Sequence, residues 1–416
     1  MKILLINYHY FIHGGPDRYF FNIKRLLEKE GHAVIPFSFG YDETYETPYR
    51  HYFPIPISGK GTFLLENLNL SLQKKLAYTA KMFVNRDVER KFVEVMERER
   101  PDIVCSIYLS SSFLPKILQI AKSRFGVPVV YRLSDFHMFC PSYLFYRDGQ
   151  VCTECVDRLS AAIRHRCVQG SFPSSVLRVL QMKCIRTWGW YDSVDAFVCP
   201  SRLMQQQLVD GGFPAEKVHW VPTFAPDLHG PMKNGRAPYI LYFGKVTQEK
   251  GVEVLIEAYN SLSTPKLPLK IVGYCSQSYR NYLASLLDDR HRLSVTFVPP
   301  LDGEEMWQAL RDSTFVVQPA IWLENMPNTL IEAFSAGKPV IASDIGSLPE
   351  LVDHGRNGYL VPPGDVEKLA EAMETMWTGA DLGAMGADAY RRYLHNYTEA
   401  IHSSRYQAIL QQLVKN

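Results

Sequence analysis

The sequence predicts an α/β protein made of two doubly wound domains with parallel sheets. Three observations carry this reading. Short apolar runs alternate with longer segments of helical period almost from end to end, the pattern of parallel strands joined by helical crossovers. The alternation breaks once, in a Pro- and Gly-rich stretch without periodicity around 223–237, and then restarts. The length of 416 residues also exceeds what one ordinary domain needs.

In chain order, Lys2–Asn7 is the first strand candidate, followed by a Gly-rich turn and an amphipathic helix near Tyr19–Glu30. Gly31 and His32 stop that helix, and Ala33–Phe37 gives the next strand. Ile103–Ile107, Pro128–Arg132, Ala196–Cys199 and Val218–Val221 complete the first set. After the break come Tyr239–Phe243, Leu269–Val272, Val295–Val298, Phe315–Gln318 and Pro339–Ala342. The expected organisation is a first domain over 1–222, a linker over 223–237, a second domain over 238–398, and a C-terminal helix over 399–416 that packs back on the first domain. Two stretches stand outside the alternation: Thr62–Arg100, read as mostly helical, and an insertion over about 140–190 rich in Cys, Arg and aromatic residues.

Composition narrows the function. Apolar residues make up 46% and charged residues 21%, the profile of a chain with a sizeable core. A net charge of +2 argues against nucleic acid as the partner, since that needs a dominant basic face. No run approaches the roughly 18 to 20 apolar residues of a spanning helix, and the N-terminus reads as a strand, without a signal-peptide pattern. A cytoplasmic enzyme with eight reduced cysteines is the expectation.

Chemistry concentrates in the second half. The segment from Gln318 to Val340 runs from a strand through a loop into a helix that Gly337 can terminate. In a doubly wound domain, ligands bind where such strands end, and the free amides at a helix start near Pro327 or Asn328 suit a pyrophosphate. Glu324 lies in the loop before those amides and Glu332 about one turn into the helix, placing one carboxylate towards a sugar and the other towards a ribose diol. A second strand–turn–helix unit, from Tyr239 to Gly251, carries Lys245 and Lys250, cations that can neutralise a diphosphate leaving group.

Together these segments resemble the retaining nucleotide-sugar glycosyltransferases of family 4, whose GT-B fold sets two Rossmann-like domains face to face with the active site in the cleft between them. The family pattern of Gly-Arg-x4-Lys-Gly, then Glu-x7-Glu and Gly-x-Pro-Val, is matched by Gly244-Lys245-x4-Lys250-Gly251, Glu324-x7-Glu332 and Gly337-Lys338-Pro339-Val340. Gly14-Gly15 early and Gly364-Asp365 late extend the resemblance over nearly the whole chain. It implies that Glu324 holds the donor sugar, that Glu332 holds the ribose, and that Lys245 and Lys250 grip the diphosphate of a UDP- or GDP-linked donor. Gly14 and Gly15 would let the first domain's backbone approach the donor.

Three departures shape the expectations. Lys245 replaces an Arg and so loses its bidentate geometry. Asn325-Met326-Pro327 stands where the family often has Gly-Phe-Gly. Pro327 has no N–H, so donation to the donor falls to Asn325, Met326 and Asn328, continued along the helix start by Thr329 and Leu330. Ser134-Asp135 replaces a His-Asp pair, and His137 either substitutes for the missing His or only packs. With Glu324 and Lys250, Asp135 and His137 complete the candidate catalytic set.

The resemblance implies front-face transfer with retention, the leaving diphosphate taking the acceptor's proton. No Asp-x-Asp motif for a divalent ion is present, so catalysis without a metal cofactor is expected. The acceptor is expected to be a glycan or a lipid-linked molecule in the synthesis of cell-surface polysaccharide or glycoconjugate. The rival readings are a GT-B sugar-nucleotide epimerase or hydrolase, and an inactive sugar-nucleotide-binding scaffold. Two features of the insertion add expectations. Arg158, Arg164, Arg166, Arg178, Lys183 and Arg186, with Trp188 and Trp190, point to peripheral contact through 156–190 with the inner membrane face. Cys140, Cys152, Cys155 and Cys167, spaced Cys-x11-Cys-x2-Cys-x11-Cys, are candidate ligands of a structural zinc, with unligated thiols or a disulfide as the alternatives.

Overall fold

The computed structural model describes residues 1–56, 79–109, 113–230, 238–262 and 267–415. Parts of two predicted features, the helical stretch over 62–78 and the linker over 231–237, lie outside the described residues.

The first sheet holds β1 (Lys2–Ile6), β2 (Ala33–Phe37), β3 (Ile103–Ser106), β4 (Val129–Arg132), β5 (Ala196–Cys199) and β6 (Val218–Trp220), in spatial order β2-β1-β3-β4-β5-β6. The second holds β7 (Ile240–Phe243), β8 (Leu269–Val272), β9 (Val295–Val298), β10 (Phe315–Gln318), β11 (Val340–Ser343) and β12 (Gly358–Val361), in order β9-β8-β7-β10-β11-β12. Every pairing within the two sheets is parallel. Helices cover both faces, which is why the strands are near-continuous apolar runs and not alternating ones.

Alternate side chains of each central strand serve separate cores. Leu4 and Ile6 pack with Phe92 and Phe113, while Ile3 and Leu5 pack with Phe20 and, from the C-terminal helix Glu399–Lys415, with Tyr406, Ile409 and Leu410. In the second sheet Ile240 and Tyr242 face Leu255 and Ile256, and Leu241 and Phe243 face Leu330 and Phe334. The C-terminal helix thus crosses back onto the first domain. There His402 meets the Pro222 carbonyl through Nδ1 (2.7 Å) and the Tyr19 hydroxyl through Nε2 (3.0 Å), and burial pushes its pKa down to about 3.

The order of each sheet reverses at one place, between β1 and β3 in the first and between β7 and β10 in the second. Carboxyl ends of strands at such reversals open a crevice for ligands. The loop after β1 leads to Gly14 and Gly15, the loop after β7 to Lys245 and Lys250, and the loop after β10 to Glu324.

Candidate active site

Glu324 is almost fully buried, at 4% exposure. Its Oε1 lies 2.5 Å from Lys250 Nζ, and the Lys250 ammonium also sits 4.6 Å above the Trp322 ring. Two glycines make this pairing possible. A Cβ on Gly251, whose φ is +70°, would overlap the Pro319 carbonyl, so the lysine loop reaches the glutamate loop only with Gly there. On the other side Gly346, at φ +61°, comes so close that a Cβ would stand 2.6 Å from both Glu324 N and O. Ser347 N then donates to Glu324 O at 2.9 Å. The β11 loop therefore clamps the carboxylate's backbone, a role not read from the sequence.

The helix after β10 runs Asn328–Ser335 with Pro327 as its N-cap. Glu332 sits one turn in, its side chain 14% exposed, and burial pushes its pKa up to about 7 against the pull of the Arg18 guanidinium, 4.0 Å away. Arg18 belongs to the first domain, so the two halves meet across this carboxylate. The remaining predicted donor residues divide. Asn328 and Thr329 stand at the helix start, where amides have no intrahelical partner. The Thr329 hydroxyl, near Gly244, is buried and has no hydrogen-bond partner among the described residues. Leu330 is different: its side chain is wholly in the core and its N–H donates to Pro327 O at 3.2 Å, so neither faces a ligand. Met326 packs half-buried against the same core.

Asn325 departs from the expectation of a donor contact. Its Oδ1 accepts from Ser201 Oγ at 2.8 Å and its Nδ2 donates to Leu133 O at 3.1 Å, both in the first domain. At 8% exposure its amide is committed to holding the domains together. Nearby, the Glu350 carboxylate accepts from the amides of Arg202 and Leu203, each at 2.7 Å, at the start of the helix Arg202–Asp210. Burial raises the pKa of Glu350, and those amides oppose the rise.

On the facing side, the loop after β1 is pinned by the buried Asp17, whose Oδ2 accepts from the amides of His13 (3.1 Å) and Gly14 (3.0 Å) and whose Oδ1 accepts from Asn7 Nδ2 (2.8 Å). Gly14 then lies opposite Lys245: a Cβ there would be 3.8 Å from Lys245 Nζ, and one on Gly15 4.0 Å from Asn328 Nδ2. Desolvation in the cleft lowers the pKa of Lys245, and the charge of Lys250 adds to this. Burial, then Lys245, lowers that of His13. Cations gathered in a partly desolvated cleft form a place for an anion. Asp17, His13 and Arg18 escaped the sequence reading, although Gly14-x2-Asp17 has the spacing of a capping box.

Asp135 and His137 lie after β4 and are bound to each other. Asp135 Oδ1 takes both the His137 amide (2.9 Å) and the ring Nδ1, while Nε2 meets the Tyr131 hydroxyl at 2.7 Å. With both ring nitrogens engaged, His137 forms part of a small cavity with Arg178, Met182 and Tyr191.

The four cysteines of the insertion are neighbours, since Cys140, Cys152 and Cys167 all act on the Cys155 thiol. Cys140 packs with the main core of the first domain, while Cys155 and Cys167 join a small cluster around Ala162, Val179 and Met182. Among the described residues no three His, Cys, Asp or Glu side chains are grouped so as to hold a metal ion, and all eight cysteines are free. Burial, then the neighbouring Cys140 and Cys167, pushes Cys155 up to about 12; burial and then Cys140 raise Cys167.

Comparison with known proteins bears on this geometry. Residues 229–391 match the family model of glycosyl transferases group 1. That span contains Lys245, Lys250, Glu324 and Glu332. Among curated proteins, the amylovoran biosynthesis glycosyltransferase AmsK of Erwinia amylovora is 29% identical over 187 residues, 41% of this chain and 44% of AmsK. The phosphatidyl-myo-inositol mannosyltransferase of Mycobacterium leprae is 31% identical over 176 residues, 41% of this chain and 46% of the relative. The matches thus span less than half the length of these relatives. Among solved structures, Anabaena HepE in complex with UDP superposes with a TM-score of 0.67 at 16% identity, covering 99% of this chain and 100% of HepE. Sucrose-phosphate synthase of Thermosynechococcus elongatus gives 0.73 at 19%, covering both chains fully. The fold is GT-B. Among the described residues no helix is long and apolar enough to cross a membrane.

Proposed function

We propose that this GT-B protein is a retaining glycosyltransferase that moves a sugar from a UDP- or GDP-linked donor to a glycan or lipid-linked acceptor. The observation that carries the reading is the buried Lys250–Glu324 pair at the reversal point of the second sheet, with Glu332 one helical turn beyond and Gly14 facing it. The matched glycosyl transferases group 1 model and the UDP complex of HepE support a nucleotide-sugar donor.

In this reading an incoming diphosphate draws Lys250 from Glu324 and adds Lys245. Glu324, released from its ion pair, accepts from donor-sugar hydroxyls, and Glu332 accepts from the ribose diol. The acceptor oxygen bonds to the anomeric carbon on the face the diphosphate leaves. The bond from that carbon to the phosphate oxygen breaks, and the acceptor's proton passes to the diphosphate. No protein base is required, in keeping with His137 being tied on both nitrogens. Retention and the lack of a catalytic metal rest on the family resemblance and on the missing Asp-x-Asp motif.

The test is a thermal-shift screen of nucleotides and nucleotide sugars, then a transfer assay with the product anomer read by NMR. Stabilisation by one nucleotide family and a product of unchanged anomeric configuration are expected. An inverted product rejects retention, and free sugar as the sole product at saturating acceptor favours a hydrolase.

A further inference from the structure

The helix Phe172–Thr187 is apolar on two sides, and one of them faces outward. At about 100° per residue, Phe172, Val176, Leu177, Leu180, Cys184 and Trp188 fall on one arc of roughly 160°, continued one residue past the helix by Trp188. That arc faces outward: Phe172 is 54% exposed, Leu180 46% and Trp188 46%, with Val176, Leu177 and Cys184 half-buried. Lys183 is its one charge.

The inward arc, by contrast, buries Ser175 and Gln181 beside Val179, Met182 and Ile185, with the half-buried Arg178 and the exposed Arg186 at its edges. Its polar groups are spent on the fold. Arg186 Nη2 donates to Met138 O at 2.9 Å, and Gln181 Nε2 donates to Met82 O at 2.5 Å.

Isolated exposed apolar side chains need no explanation, but a contiguous face does. Its surroundings say what covers it. Lys183 lies within the arc and the exposed Arg186 flanks it, while of the preceding exposed bases Arg164 is paired with Glu154. From Phe172 to Trp188 there is no acid at all. An exposed apolar face that carries Lys183, is flanked by Arg186 and has no acid along the helix matches an anionic bilayer, into which such a helix lies flat with its apolar arc among the acyl chains. An exposed Trp at the helix end suits the headgroup boundary.

We propose that the outward face of the Phe172–Thr187 helix is a docking surface for anionic phospholipid membranes. The same helix supports, on its inner side, the loop carrying Asp135 and His137 on the first domain's side of the cleft. Docking therefore sets that wall of the cleft close to the bilayer. This deepens the proposed function by favouring a membrane-borne acceptor, but it is read without any transfer reaction.

The experiment is vesicle flotation of the full chain. Vesicles of phosphatidylcholine with half phosphatidylglycerol are compared with phosphatidylcholine alone, at low and high salt. Binding to the anionic vesicles at low salt is expected, with loss at high salt. Leu180→Glu/Trp188→Glu is expected to lower binding at least about tenfold, because it removes two exposed apolar groups that would enter the acyl region and adds repulsion. Lys183→Glu should lower it about fivefold or more. Thermal melting and nucleotide binding of each variant, both unchanged, show that the fold and donor site survive. Absence of flotation at low salt overturns the proposal, as does equal flotation of the double variant. A dimer in sedimentation that the double variant abolishes, without vesicle binding, also overturns it and assigns the face to a second copy. None of these outcomes depends on whether the chain transfers sugar.

Discussion

Ser201 Oγ donates to Asn325 Oδ1 at 2.8 Å across the domain boundary, and the other end of the same amide holds Leu133 O. Asn325 is the residue after Glu324, so the closure of the two domains is bonded directly to the backbone that positions the buried carboxylate. Replacing Asn325 with Ala removes both bonds and leaves the buried Ser201 hydroxyl without this acceptor, at a cost of about 1–3 kcal/mol. Asn325→Ala is expected to lower kcat/KM at least tenfold with a modest loss in Tm. The loss should appear in kcat as well as KM, because a carboxylate that is misplaced reacts poorly even when the donor is bound. Kinetics equal to those of the unaltered chain would show that the amide does not position Glu324.

Lys250 and Glu332 lie in the same cleft but differ in what their loss leaves behind. A side chain that only lines a cleft can ordinarily be cut to alanine without loss of the fold. The structure changes that for Lys250, whose ammonium neutralises a carboxylate only 4% exposed. Removing one partner of a buried pair strands the other charge, a loss of about 3–5 kcal/mol in the deepest cases. Lys250→Ala is therefore expected to lower both Tm and donor affinity, whereas Glu332→Ala should lower donor affinity while Tm holds or rises. Melting curves without ligand separate the two. An unchanged Tm for Lys250→Ala would mean that the pair adds nothing to the ligand-free fold.

Glu332 gives the site a pH dependence. Its ordinary value is 4.5 and burial raises it to about 7. A carboxyl group with a raised folded pKa keeps its proton in the native state while the unfolded chain has lost it. Native stability therefore falls as pH climbs from about 4.5 to about 7, by at most about 3 kcal/mol. Glu332→Gln should raise Tm at pH 8 and leave it unchanged near pH 4. The ionised form accepts the stronger hydrogen bonds from a ribose diol, so affinity for a nucleotide sugar should increase as pH passes upward through 7. Calorimetric titration between pH 6 and 8 checks this. A glutamine variant with the same pH slope would place the titrating group elsewhere.

Much of this was legible because the physics is local. Strands covered on both faces read as apolar runs, and Lys250 and Glu324 stand in loops that directly follow such runs. The Asn325 latch was not legible: its partners are 124 and 192 residues away, and nothing in Asn325-Met326-Pro327 distinguishes an amide for a sugar from an amide for Ser201. Leu330 was placed at the ligand by its position near a helix start, but the register turns its side chain into the core. The outward apolar arc at Phe172–Trp188 was hidden for a related reason. A helix apolar on two sides shows little periodicity, and only the packed structure tells which side is covered.

The cysteine segment yields the last prediction. The spacing of Cys140, Cys152, Cys155 and Cys167 argues for zinc, since two thiolates of a Cys-x2-Cys turn readily share one ion. In the structure the four stand near one another as free thiols, and burial, then the neighbouring cysteines, raises those of Cys155 and Cys167. A raised pKa leaves little of the reactive thiolate at neutral pH. Chain purified without chelator is therefore expected to contain well under one equivalent of zinc. In mass-spectrometric alkylation at pH 8, Cys155 should react slowly and Cys152, which is only half-buried, should be modified before it. Chelator should alter neither that order nor the Tm. One equivalent of zinc by elemental analysis, with all four thiols protected until chelator is added, would overturn this outcome and restore the tetrahedral site that the spacing implies.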